Sequence, residues 1–273
     1  MTAALALGLI MGPQSASITV DRGSCSIHCG IVGQGRPLVA IPGGPGFDGR
    51  AVWAIGFGMR ESCKTYLFDQ LGTGNSQMKA GKDPQLDPFK TVEDLEAVRK
   101  AEGHKRWTVI GQSWGAIVAM IYAARHPQAV DHLVLASIPG IGHDGTVLST
   151  NLAGSIPKSV EDLLIKLQMD QDMPEEELIA QQVMLSTPYY FHQPSIGLDL
   201  LKRAPIGMFS SKVFMGLRRH ILNDSAYRKD LQKLKSLKIP VTFIQGHQDP
   251  CGSAMPYLLK EEYLPQAKVH MID

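Results

Sequence analysis

Two kinds of apolar pattern alternate along this chain. Short apolar runs bounded by glycine, proline or polar residues read as strands: SITVDRG and SCSIHCGIVG, then RPLVAI, KTYLFD, WTVIGQ, HLVLAS, IPVTFIQG and AKVHMI. Longer runs with apolar residues every three or four positions read as helices. These are TVEDLEAVRKAEG, with Thr91 as N-cap, Asp94 at N3 and Gly103 as C-cap; SWGAIVAMIYAARHP, stopping before Pro127; YRKDLQKLKSL; and SAMPYLLKEEYL. Strands that alternate with helices predict an α/β fold, a mostly parallel sheet with helices on both faces.

The alternation breaks once. From about residue 144 to 225 the pattern is helical throughout (VEDLLIKLQM, EEELIAQQVML and a Leu/Met/Phe-rich run to His220), with no convincing strand. We therefore expect an α/β core of residues 1–143 and 226–273, interrupted by an inserted helical cap over 144–225.

Composition narrows the function classes. The 273 residues are 44% hydrophobic and 19% charged, enough to build a substantial core. Lys+Arg at 27 against Asp+Glu at 26 leaves a net charge of +1 with no basic run, which argues against a nucleic-acid partner. Cys25, Cys29, Cys63 and Cys251 form no CxxC pair or His/Cys cluster, so free or structural thiols are expected and neither a metal nor a cofactor. The apolar leader TAALALGLIMG is too short to span a bilayer, and no membrane partner is expected. It resembles the apolar core of an export signal but lacks a preceding basic residue, which leaves cytoplasmic and exported locations both open.

The chemistry concentrates in three loops that follow strands. Gly111-Gln112-Ser113-Trp114-Gly115 joins the strand WTVIG to a helix, the context in which a G-x-S-x-G lifts a nucleophilic serine above the sheet edge. The N–H groups at the start of that helix then face the negative charge that develops during acyl transfer. Pro42-Gly43-Gly44-Pro45-Gly46 follows the strand LVAI about 70 residues earlier and is placed to supply the second oxyanion donor, the first coming from Trp114. Asp249 follows VTFIQG by three residues, at the sheet edge where catalytic groups of α/β folds gather, with Asp144 as the alternative acid.

PGGPG, Asp69-Gln70-Leu71-Gly72-Thr73-Gly74-Asn75-Ser76 and GQSWG occur here in the order and with the spacing of three motifs of the proline-iminopeptidase branch of the α/β-hydrolase superfamily, which this chain resembles. The resemblance extends through a helical cap to IPVTFIQGHQD. It implies Ser113 as nucleophile, Gly44 and Trp114 as oxyanion donors, Asp249 as the acid, and cleavage of an amide or peptide bond in a small molecule or short peptide. Two positions depart from the family pattern. Pro42 stands where the branch carries histidine, and Thr187-Pro188-Tyr189-Tyr190-Phe191-His192 lacks the glutamate with which aminopeptidases of this branch hold the substrate amine. Glu175, Glu176 and Glu177 read instead as a solvated helix start. Gly43, Tyr190 and His192 are expected to touch substrate, and His143 is a further candidate to line the pocket. An esterase or another amidase on the same scaffold is the alternative activity; a non-catalytic binding protein, or an inert fragment lacking the triad histidine, is a third.

The Ser…Asp…His order of such triads asks for a histidine after Asp249, and only His270 qualifies. It sits in the middle of the last strand, roughly 7–10 Å below the edge at about 3.3 Å per residue. General-base catalysis needs contact at about 3 Å. His247 would have to bend back across its own turn. The expected base therefore lies beyond Asp273.

Overall fold

The computed structural model describes residues 16–80, 86–141, 145–204, 207–222 and 225–273. The apolar leader, His143 and Asp144 lie outside them. The described strands are Ala16–Asp21 (β1), Cys25–Val32 (β2), Arg36–Ile41 (β3), Cys63–Phe68 (β4), Gln77–Met78 (β5), Trp107–Gln112 (β6), Val130–Ala136 (β7), Val241–Gly246 (β8) and Lys268–Ile272 (β9). They form one sheet in the order β1-β2-β4-β3-β6-β7-β8-β9, with β5 pairing β2. β2 runs antiparallel to β1, β4 and β5, and every other pairing is parallel. The mostly parallel α/β architecture is the one the alternating pattern predicts.

The helices Trp53–Met59 (α1), Pro88–Ala101 (α2) and Trp114–Arg125 (α3) connect the first strands. The segment from Gly49 to Met59, a 3-10 turn followed by α1, carries no clear period in the sequence and was not expected as a helix. α2 starts earlier than the sequence indicates. Asp87, not Thr91, is its N-cap: the Asp87 carboxylate accepts from the Phe89 N–H at 2.6 Å, and Pro88 opens the helix with a preset φ. α3 is buried at every position from Trp114 to Ala124, because it fills the centre of one face of the sheet. All four cysteines are buried and free.

Between β7 and β8 come Gly145–Ser155 (α4), Lys158–Met169 (α5), Glu175–Ser186 (α6), Pro194–Arg203 (α7) and Ser211–Leu222 (α8), a helical stretch where the sequence pattern changes. The short helix Arg228–Leu231 (α9) with a 3-10 turn over Gln232–Ser236 leads back to β8, and Met255–Tyr263 (α10) joins β8 to β9. YRKDLQKLKSL is thus a broken helix rather than a continuous one.

Strand register sets which loops meet. Ile41 pairs with Gly111, Gln112 with Ala136, and Ala136 with Ile244. The loops after β3, β6, β7 and β8 therefore leave the same edge side by side.

Candidate active site

Ser113 occupies the turn between β6 and α3 with φ 54° and ψ −121°, a conformation L-residues rarely hold. Three features fix it there. Its N–H donates to Ala136 O at 2.9 Å, and its carbonyl accepts from Ala116 N at 2.8 Å. Strand and helix also approach too closely for side chains on either flank. A Cβ on Gly111 would stand 2.2 Å from Gly115 O, and one on Gly115 2.2 Å from Ile41 O. The Trp114 ring is buried in the core, so only its backbone N–H, in the unpaired first turn of α3, is available to a ligand.

The loop after β3 lies against this turn. An ideal Cβ on Gly43 would meet Gln112 Oε1 at 2.5 Å and Ser113 Cβ at 2.9 Å. Gly44 sits at φ 114°, accessible to glycine alone at low cost. The far end of the loop is tied to the segment before α8. Ser210 N donates to Gly46 O at 2.8 Å, Asp48 N donates to Met208 O at 3.0 Å, and the Phe47 and Phe209 rings pack at 4.9 Å.

These elements open onto a cavity of about 270 Å³. Gly43, Gly44, Gln112 and Ser113 form one side; Tyr190 and Phe191 and residues of α4, α6 and α7 form the other. Of the residues expected to touch substrate, Gly43 and Tyr190 line it. His192 does not. It lines a neighbouring cavity of about 440 Å³ together with His247 and Asp249, and Phe191 forms part of the wall of both.

Asp249 stands in the turn after β8, as its spacing predicts. One carboxylate oxygen accepts from Cys251 N at 2.8 Å, and burial pushes the Cys251 thiol well up. The loop is braced by Gln245, which is 1% exposed. Its Oε1 accepts from Ile138 N at 3.0 Å and its Nε2 donates to Gly252 O at 3.4 Å. β6 and β8 are separated by β7, so their axes lie roughly 10 Å apart. His270 lies mid-strand in β9, paired with Ile244 and exposed. No described histidine lines the Ser113 cavity.

Sequence reasoning missed Arg50 and Asp48. The Asp48 side chain is fully buried, and the Arg50 guanidinium forks onto it while facing the cavity. Burial raises the Asp48 carboxyl even though Arg50 opposes the shift; the hydrogen bonds to Asp48 in turn raise the guanidinium. No period or motif marks either residue. Gln112 was visible as the variable position of the G-x-S-x-G, yet nothing in the pattern says that its side chain faces the cavity.

Residues 36–176 match the family model described as alpha/beta hydrolase fold. The proline iminopeptidase of Xylella fastidiosa is 38% identical over 104 residues, a match covering 38% of this chain and 33% of that protein. The chain thus aligns with about a third of the length of the curated relatives it matches. A solved alpha/beta fold family hydrolase from Bacillus anthracis covers 94% of this chain and 91% of its own, with TM-score 0.68 and 19% identity. Proline iminopeptidase of Mycobacterium smegmatis covers 94% and 90% at TM-score 0.65 and 18% identity, so both structures speak to the fold. By the match over more than half its length and by its sheet topology, this chain belongs to the α/β-hydrolase fold family.

Proposed function

We propose that the protein is a serine hydrolase that cleaves an amide or peptide bond of a small substrate through an acyl-enzyme on Ser113. The observation that carries this reading is the strained Ser113 turn facing a cavity walled by the Gly43–Gly44 loop. In the first step Ser113 Oγ bonds to the carbonyl carbon while a base takes its proton. The negative charge moves to the carbonyl oxygen, toward the N–H groups of Gly44 and Trp114. Collapse expels the protonated leaving group, and water repeats the sequence to release the acid. Asp249 orients and stabilises the imidazole that acts as base. Residues 144–225 act as a cap whose helices wall the cavity and select the acyl group.

The resemblance to proline iminopeptidases over the motif-bearing segment supports amide cleavage. A second reading, a carboxylesterase or other amidase, is favoured by the aliphatic lining from Leu148, Val183, Leu200 and Leu201. A fluorophosphonate probe followed by peptide mapping tests the nucleophile, on this chain and on one extended past Asp273: label on Ser113 of the extended chain, lost in Ser113→Ala and weakened in Asp249→Asn, is expected. Absence of label on the folded extended chain sinks the proposal. A panel of aminoacyl-naphthylamides and p-nitrophenyl esters then separates amide from ester cleavage.

A further inference from the structure

The charge pattern of the Ser113 cavity points to its substrate class. Arg50 is the only charged residue among its described lining, and its charge is already matched by the buried Asp48. The hydroxyls of Ser186 and Thr187 are spent within their own helical turns, donating to Gln182 O and to Val183 O. Besides the Ser113 hydroxyl, that leaves a largely apolar wall and two polar side chains, the Gln112 amide and the Tyr190 hydroxyl, that hydrogen-bond to no described residue. The acidic cluster of the helical segment faces elsewhere. Glu175 is exposed and pairs with Arg218, and Glu177 is exposed and accepts from Gln181.

We infer that this cavity takes a neutral, largely apolar acyl group, held by Gln112 and Tyr190, and discriminates against substrates that carry a free α-ammonium. The inference rests on Ser113 as the nucleophile for its statement that the ligand is an acyl group. The physical reason is desolvation. A charge moved from water into this cavity meets no free counter-charge among the described lining residues, because the Arg50–Asp48 pair is self-satisfied. A neutral amide at the same place loses only hydrogen bonds that Gln112 can replace. The substrate class is thus an N-blocked aminoacyl amide or a simple acyl ester or amide, not a peptide with a free N-terminus.

The test compares binding of N-acetyl-L-leucinamide and L-leucinamide to the full chain by calorimetry at pH 6.5, where the free amine is protonated. The acetylated ligand is expected to bind at least about tenfold more tightly. In Ser186→Asp, which brings a carboxylate to the wall, the ratio is expected to narrow or invert. Equal or tighter binding of L-leucinamide to the wild type overturns the inference, and so does failure of both ligands to bind. Should Ser186→Asp not fold, the wild-type ratio decides alone. Fluorophosphonate labelling of the chain extended past Asp273 keeps the two readings separable. A tenfold preference without label removes the nucleophile but leaves the pocket chemistry, whereas label without the preference does the reverse.

Discussion

Gly43 lies directly against Ser113: a Cβ at position 43 would come within 2.9 Å of the serine Cβ and 2.5 Å of Gln112 Oε1. The first contact must be relieved by movement of the candidate nucleophile, and the second by rotation of a flexible amide. Gly43→Ala is therefore expected to slow fluorophosphonate labelling of Ser113 by about 100-fold, the scale on which a displacement of about 1 Å acts on reacting groups. Urea denaturation should show a loss of no more than about 1 kcal/mol, since both close contacts are with side chains and the nearest backbone atom, Gln112 O, stands 3.2 Å from the added methyl. Labelling at the wild-type rate would show that Gln112 alone yields.

The stretch Asp69 to Ser76 is a bracing hub. The Asp69 side chain is buried, with Oδ1 accepting from Gly49 N at 2.8 Å and Oδ2 from Asn75 N at 2.9 Å. His28 Nδ1 stands 2.9 Å from the same Oδ2, and Ser76 Oγ accepts from His28 N at 2.8 Å while donating to Asp69 O at 2.7 Å. The Gly49 contact holds the downstream end of the loop that carries Gly43 and Gly44. Asp69→Asn keeps the shape but turns an amide N–H toward one of these donors. It should cost about 2–3 kcal/mol in urea denaturation, the scale of a buried charged acceptor lost.

Acid sensitivity should trace to Glu96. Burial raises its carboxyl, but hydrogen bonds from Arg99 and Tyr122 outweigh that and bring it from 4.5 to about 2. Arg99 forks onto it at 2.6 and 2.8 Å, and Tyr122 OH donates at 2.9 Å, joining α2 to α3. A carboxylate depressed in the folded state stabilises fully above its unfolded value, and that stabilisation fades as pH falls from about 4.5 toward 2. Glu96→Gln is expected to lose up to about 3 kcal/mol at pH 7 and to show a shallower stability decline below pH 5, followed by denaturation across pH.

How much of this was legible beforehand depends on how local the signal is. The longer strands, α3 and the Ser113 turn are written in short-range periodicity and in glycines at fixed offsets, as in WTVIGQSWGAIVAM; the two-residue β5 (Gln77–Met78) is too short to carry a period and is read as loop. Asp249 was placed by its offset from VTFIQG. The start of α2 at Asp87 was misjudged because Thr91, four residues on, has equal capping chemistry; its hydroxyl is instead shared between the Asp87 carbonyl and Gln70. His192 is expected at the substrate but lines the cavity of Asp249 instead, since which cavity a residue faces depends on how α6 and α7 fold back. Arg50 and Asp48 were invisible for a related reason: a charged pair two residues apart in a loop reads as solvated surface, and only tertiary packing buries it.

The turn at Ser113 also allows strain to be measured apart from chemistry. A non-glycine residue at φ 54° and ψ −121° carries a backbone cost of order 1–3 kcal/mol. Ser113→Ala removes the hydroxyl and keeps that cost. Ser113→Gly removes both, with an added unfolded-state entropy of about 0.5–1 kcal/mol working against it. Both variants should lose the fluorophosphonate label. The glycine variant should nevertheless be more stable than the alanine variant by about 1 kcal/mol in urea denaturation, the strain released less the entropy added. A glycine variant less stable than the alanine one would mean that surrounding contacts, such as Ser113 N to Ala136 O, accommodate the turn without strain. The serine would then be held by its neighbours alone, and the claim that local stability is given up here to present a nucleophile would fall.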